Sequence, residues 1–131
     1  MILVDTPALS WMLRRPDKLS PSARRALEKE SRSSGLSISS VTLLELAQMA
    51  ASGKIRLYQP PAEWLRAIVR DSCLAVREVT TDIAAVAAYL PPDFPGDPFD
   101  RVIAATAIVE RLPLVTSDTR IRQSGVVRTI W

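Results

Sequence analysis

Short apolar runs alternate with helical stretches, several of them opened by proline, along the whole chain, and this alternation restricts the fold more than any other feature. Ile2-Leu3-Val4 is a continuous apolar run of the kind that forms a buried parallel strand. It halts at Asp5, and Thr6-Pro7 reads as an N-cap followed by proline at the first helical position. Ser20-Pro21 repeats that signal and opens a helix through Arg24, Leu27 and Glu28, which Gly35 ends. Leu36 to Ser39 reads as a second strand, and Ser40 as the cap of a helix from Val41 to about Ser52, closed by Gly53. Pro60-Pro61 precedes a helix around Trp64, Leu65, Ile68 and Val69, and Leu74 to Val79 reads as a third strand. Thr80 or Thr81 caps an alanine-rich helix containing Ile83, Val86 and Leu90. The stretch from Pro91 to Pro98 is loop, after which Asp97-Pro98 starts a helix apolar over nearly its whole surface. Leu114-Val115-Thr116 is the fourth strand, Thr119 to Gln123 a short helical turn, and Val126 to Ile130 the last strand.

Strands separated by helices pair in parallel through right-handed crossovers. The expected fold is therefore α/β: a three-layer α/β/α sandwich on a mainly parallel, roughly five-stranded sheet. A length of 131 residues, with 47% hydrophobic and 24% charged, suits one domain spanning 1–131. No apolar run is long enough to span a bilayer, so no membrane association is expected. Met1 leads into Ile2-Leu3-Val4 without a basic region, so no signal peptide is expected either. A single cysteine, Cys73, fits a reducing cytoplasm and is expected to be a small buried residue.

The chain has no histidine. Ser-His and Cys-His nucleophile arrangements are thereby excluded, as are zinc sites needing histidine or several cysteines. Any acid–base or metal chemistry must rest on carboxylates. Net charge is +3, from 17 basic and 14 acidic residues, and it becomes more positive if several acids are taken up by a cation. Arginine clusters such as Arg14-Arg15, Arg24-Arg25 and Arg120 with Arg122 suit phosphate, because the planar guanidinium bonds two oxygens at once. The same clusters also serve as a solubilising surface.

In such a sheet, sites form beyond the carboxyl ends of the strands. Asp5 directly follows the first strand, and Asp118 follows the fourth after Thr116-Ser117. Crossover helices run back against the strands, so their first turns lie at this same edge. Asp100 stands in the first turn of the Asp97-Pro98 helix, and Glu45 about one turn into the Ser40-capped helix. All four are expected to face one end. Each has a structural alternative, since Asp5 and Asp118 can cap the helical segments after them and Asp100 is favoured by the helix dipole. Asp97 is read as the N-cap of its helix. Glu45 is the hardest to explain as structure, standing among Leu43, Leu44, Leu46 and Ala47. Four acids at one edge repel each other unless a cation lies between them, and oxygen-only donors suit Mg²⁺ or Mn²⁺.

The sequence resembles PIN-domain proteins, specifically the VapC-type toxin ribonucleases of prokaryotic toxin–antitoxin pairs. The resemblance lies in Leu3-Val4-Asp5-Thr6, Ser39-Ser40-Val41-Thr42-Leu43-Leu44-Glu45, Gly96-Asp97-Pro98-Phe99-Asp100-Arg101 with Ile103 to Ala107, and Leu114-Val115-Thr116-Ser117-Asp118. Gly53-Lys54-Ile55, Leu90-Pro91 and Ile130-Trp131 match as well, so it covers essentially the whole chain. It implies metal-dependent endonucleolytic cleavage of RNA, often tRNA or rRNA. By position, Asp5, Glu45 and Asp100 correspond to metal ligands, and Asp118 to a fourth acid that acts directly or through water. Thr6 and Thr116 match supporting hydroxyls, with Ser117 an additional candidate. Arg101 is expected to pair with a site carboxylate rather than to touch RNA. The resemblance further implies an antitoxin partner lying over the site and a homodimer. Trp11 and Met12 are candidates for the antitoxin groove, whereas Leu13 is expected in the core.

Other acidic-edge folds fit less well. A receiver domain needs an acidic pair after the first strand and a late lysine, yet no lysine follows Lys54. A haloacid-dehalogenase-type phosphatase needs Asp-x-Asp, and Pro7 occupies the second place. The alternative from another class is a catalytically weak module that binds RNA or antitoxin without cutting.

Overall fold

A computed structural model describes all residues, 1–131. The sheet has five strands, β1 (Ile2–Val4), β2 (Leu36–Ser39), β3 (Leu74–Arg77), β4 (Leu114–Val115) and β5 (Thr129–Ile130). Their order is β3-β2-β1-β4-β5, and every neighbouring pair is parallel. The chain therefore builds outward from β1 on one side, then crosses to build β4 and β5 on the other. The switch falls between β1 and β4, where an open α/β sheet forms its crevice.

Seven α-helices cover the two faces: α1 (Thr6–Arg14), α2 (Pro21–Ser31), α3 (Ser40–Ala51), α4 (Pro61–Asp71), α5 (Thr81–Ala88), α6 (Pro98–Glu110) and α7 (Thr119–Ser124). Strand pleating separates two cores. Ile2, Val4 and Val115 join Leu9, Leu27, Leu46 and Ile68 on the face covered by α1 to α4. Leu3 and Leu114 join Phe94, Ile103, Ala104 and Ile121 beneath α6 and α7. This is the expected three-layer α/β/α arrangement. No helix is long and apolar enough to cross a membrane.

Local boundaries differ from the sequence reading where side chains compete to cap. Asp5, not Thr6, is the N-cap of α1, accepting from the Ala8 N–H at 2.8 Å, and Ser39, not Ser40, caps α3. Thr80 caps α5. β3 stops at Arg77 and β5 is confined to Thr129–Ile130, so both are shorter than their apolar runs suggested. Cys73 is exposed rather than buried, because it sits in the tight α4–β3 turn with φ of 49°. Trp11 and Met12 pack against the core, with the Trp11 and Trp131 ring centroids 5.7 Å apart. Leu13, expected inside, is instead 40% exposed at the end of α1.

Candidate active site

Asp5 is held where β1 becomes α1, with only 5% of its surface exposed. Its backbone N–H continues the sheet by donating to the Val115 carbonyl at 3.1 Å, which ties it to β4. Burial raises its pKa to about 6. The Thr116 hydroxyl and the Ala8 N–H oppose that rise, and the charges of Glu45 and Asp118 add to it.

Asp100 lies in the first turn of α6, half-buried. Its pKa is pushed up to about 7, first by desolvation and then by Asp97, Glu45, Asp118 and Asp5. One carboxylate thus feels four others: the N-caps of α1, α6 and α7 and Glu45 of α3. Glu45 is also half-buried, and its pKa is raised by desolvation and by Asp97. The Thr6 hydroxyl opposes this by donating to Glu45 Oε1 at 2.6 Å.

Asp118 caps α7, its Oδ1 accepting from the Arg120 and Ile121 N–H groups at 2.9 and 3.2 Å. Its own N–H donates to Thr116 Oγ1 at 3.1 Å, so the fully buried Thr116 links Asp5 to Asp118. Ser117 is half-buried. Asp97 caps α6 as expected, accepting from Phe99 and Asp100 N–H groups at 2.8 and 3.2 Å. Its charge also bears on Asp100 and Glu45, a role beyond capping.

Arg101 does not pair with an acid. Its guanidinium donates to the carbonyls of Ala87 and Leu90 at 3.1 Å each, and to those of Pro95 and Phe94 at 3.4 and 3.5 Å. The planar fork satisfies a run of carbonyls that a turn-rich loop leaves unpaired, and this fixes the loop that delivers Asp97 and Asp100. Arg101→Ala is expected to lower stability by about 3 kcal/mol in urea unfolding, because several half-buried carbonyls lose a charged donor. Arg101→Lys should recover only a minor part of that loss, since an ammonium cannot span the same carbonyls.

The donor chemistry suits a hard divalent cation: every candidate ligand is an oxygen, and like charges crowd one edge. No group of three or more acidic side chains stands ready to hold an ion as placed. Asp118 directs one oxygen to a helix N-terminus, as does Asp5, so a bound cation would engage the other oxygen or reach the side chain through water. Thr42 is a buried neighbour of the candidate site to which sequence reasoning gave no role. It lies three residues before Glu45, on the same face of α3, and its Oγ1 is 3.1 Å from that of Thr6.

Fold and edge together describe an α/β domain whose candidate acids lie near its topological switch point. The PIN domain family matches residues 2–126, and the chain belongs to that family. It is 35% identical over 132 residues to Ribonuclease VapC22 of Mycobacterium tuberculosis, spanning 99% of this chain and 98% of that protein. Among solved structures, VapBC2 from Rickettsia felis bound to a promoter DNA fragment matches with a TM-score of 0.71 at 19% identity, covering 98% of this chain and 97% of that chain. DNA-bound VapBC from Salmonella typhimurium gives 0.70 at 22% identity, with coverage of 98% and 97%. FitAcB from Neisseria gonorrhoeae gives 0.67 at 24%, with coverage of 98% and 96%. At those identities the likeness concerns the fold.

Proposed function

We propose that the chain is a metal-dependent endoribonuclease, one PIN-like domain over 1–131, acting as the toxin of a prokaryotic type II toxin–antitoxin pair. The observation that carries this reading is Asp100, a half-buried carboxyl raised first by desolvation and then by its own helix cap Asp97 and by Glu45, Asp118 and Asp5 from three other segments. Such crowding is unfavourable in a merely structural cluster and useful around a cation. Similarity to Ribonuclease VapC22 supports RNA as the substrate.

Asp5, Glu45 and Asp100 would hold Mg²⁺ or Mn²⁺, with Asp118 completing the site directly or through water. When bound, the cation supplies Lewis-acid stabilisation of the phosphodiester and a lowered pKa for water. Glu45, oriented through Oε1 by Thr6, keeps Oε2 free of protein hydrogen bonds to align the attacking water and accept its proton. Thr116 keeps the Asp5 and Asp118 segments in register. Arg120, exposed one residue beyond Thr119, offers a cation for the RNA backbone beside the acidic edge. The VapBC assemblies of similar fold support a cognate antitoxin as partner. A homodimer, a tRNA or rRNA target and a cytoplasmic setting belong to the same reading.

The test is cleavage of a mixed RNA substrate by the purified chain in Mg²⁺, in Mn²⁺ and in excess chelator. Endonucleolytic products in either metal and none with chelator are expected. Tight RNA binding without cleavage in any metal would instead favour the binding module.

A further inference from the structure

Beneath the acidic centre runs a hydroxyl chain whose far end takes no part in the proposed cleavage chemistry. Thr6 Oγ1 lies 2.6 Å from Glu45 Oε1 and 3.1 Å from Thr42 Oγ1. A threonine hydroxyl carries one proton, and an ionised carboxylate only accepts. The 2.6 Å contact has the length of a charge-assisted O–H···O⁻ bond, so the Thr6 proton goes to Glu45. Only lone pairs of Thr6 then remain for Thr42, which must donate. Thr42 is fully buried and Thr6 is its hydrogen-bond partner, so its proton has this one destination. With Glu45 ionised, the single Thr6 proton is committed to the carboxylate and the chain runs Thr42 to Thr6 to Glu45.

This polarity has a consequence for geometry. A threonine in a helix divides between two χ1 rotamers, because its hydroxyl has alternative backbone acceptors. Donation from Thr42 selects the rotamer that points Thr6 at Glu45, and a hydroxyl that is itself receiving a bond donates more strongly. The three residues also tie α3 to the first turn of α1, directly beside Asp5. We propose that Thr42 is a positioning residue: through Thr6 it sets the orientation of Glu45 toward the acidic centre. The inference rests on the proposed role of Glu45 as a metal ligand.

The experiment compares Thr42→Val, which keeps the shape and loses the hydroxyl, with Thr42→Ser, which keeps the hydroxyl. Mn²⁺ affinity, measured by electron paramagnetic resonance of free Mn²⁺, is read alongside kcat and KM for RNA cleavage. Thr42→Val should weaken Mn²⁺ binding and lower kcat by roughly tenfold each, at the low end of losses from outer-shell partners, with KM unchanged. Thr42→Ser should stay within about twofold of wild type on both readouts. In a Thr6→Val background, adding Thr42→Val should change little, since its effect passes through Thr6. If the wild type neither binds Mn²⁺ nor cleaves RNA, the functional reading fails. If it does both and Thr42→Val matches it, only the role of Thr42 is overturned. Should Thr42→Val not fold, proton NMR of the wild type decides: a slowly exchanging Thr42 hydroxyl proton with a cross-peak to the Thr6 hydroxyl supports the chain. A rapidly exchanging Thr42 hydroxyl proton overturns it.

Discussion

Asp100→Asn is expected to lower RNA cleavage on the order of a thousandfold and, in chelator at pH 8, to raise the melting temperature. The two effects share a cause. Asp100 is the carboxyl most strongly opposed by its surroundings, with its pKa pushed up to about 7 by burial and by Asp97, Glu45, Asp118 and Asp5. An amide of the same shape keeps the backbone N–H that Asp97 caps and removes the charge. The metal-free fold then loses a source of repulsion, while a cation loses a ligand. Melting curves and single-turnover cleavage on the same preparation check both halves. Loss of activity accompanied by destabilisation would mark Asp100 as a structural residue. Retention of wild-type activity would remove it from the site.

Asp100 also shows why the placement of the candidate acids at one edge was legible without coordinates. Strand ends and helix starts share one edge in a parallel sheet, so topology alone brings Asp5, Glu45, Asp100 and Asp118 together once the elements are located. Continuous apolar runs and proline-marked caps locate them with little ambiguity, as at Ile2–Val4 and Pro98. Cap identity was less legible, because adjacent polar residues such as Asp5 and Thr6 satisfy the same composition rule. Backbone dihedrals choose between them: Asp5 is extended, with ψ of 168°, and Thr6 is already helical. The partners of Arg101 were hidden for a different reason. A guanidinium next to an acid in sequence suggests an ion pair, yet the unsatisfied carbonyls of the Ala87–Pro95 segment become visible only once the loop is folded. Thr42 escaped notice because a buried hydroxyl on a helix resembles any other core threonine until its partner on α1 is known.

With cations removed, the melting temperature should fall as the pH rises from about 4.5 to about 7. The sign depends on which state holds the proton. In the unfolded chain aspartates ionise near 3.8, whereas in the fold Asp5 holds its proton to about 6 and Asp100 to about 7. Below 3.8 both states are protonated and burial of the carboxyls costs little. Between the two values the folded state binds more protons than the unfolded one, so stability is lost until the folded groups ionise as well. Asp17 and Glu30, which are held below their ordinary values by Arg15 and by the N-terminal ammonium, act in the opposite direction. Their contribution is complete above the unfolded values of 3.8 and 4.5, which leaves the higher window to the acidic centre. Asp5, almost fully buried, accounts for roughly 3 kcal/mol of the loss, and Asp100 adds less than its shift suggests because solvent screens it. Mn²⁺ at about a hundred times its dissociation constant should return roughly 2.7 kcal/mol at pH 7.5, a rise of roughly 10 °C. At pH 4 the same addition should do almost nothing, since protonated carboxyls do not bind a cation. Differential scanning measurements across this range, with chelator and with Mn²⁺, make the comparison. An Mn²⁺ shift of equal size at pH 4 and pH 7.5 would place the ion elsewhere than among these acids.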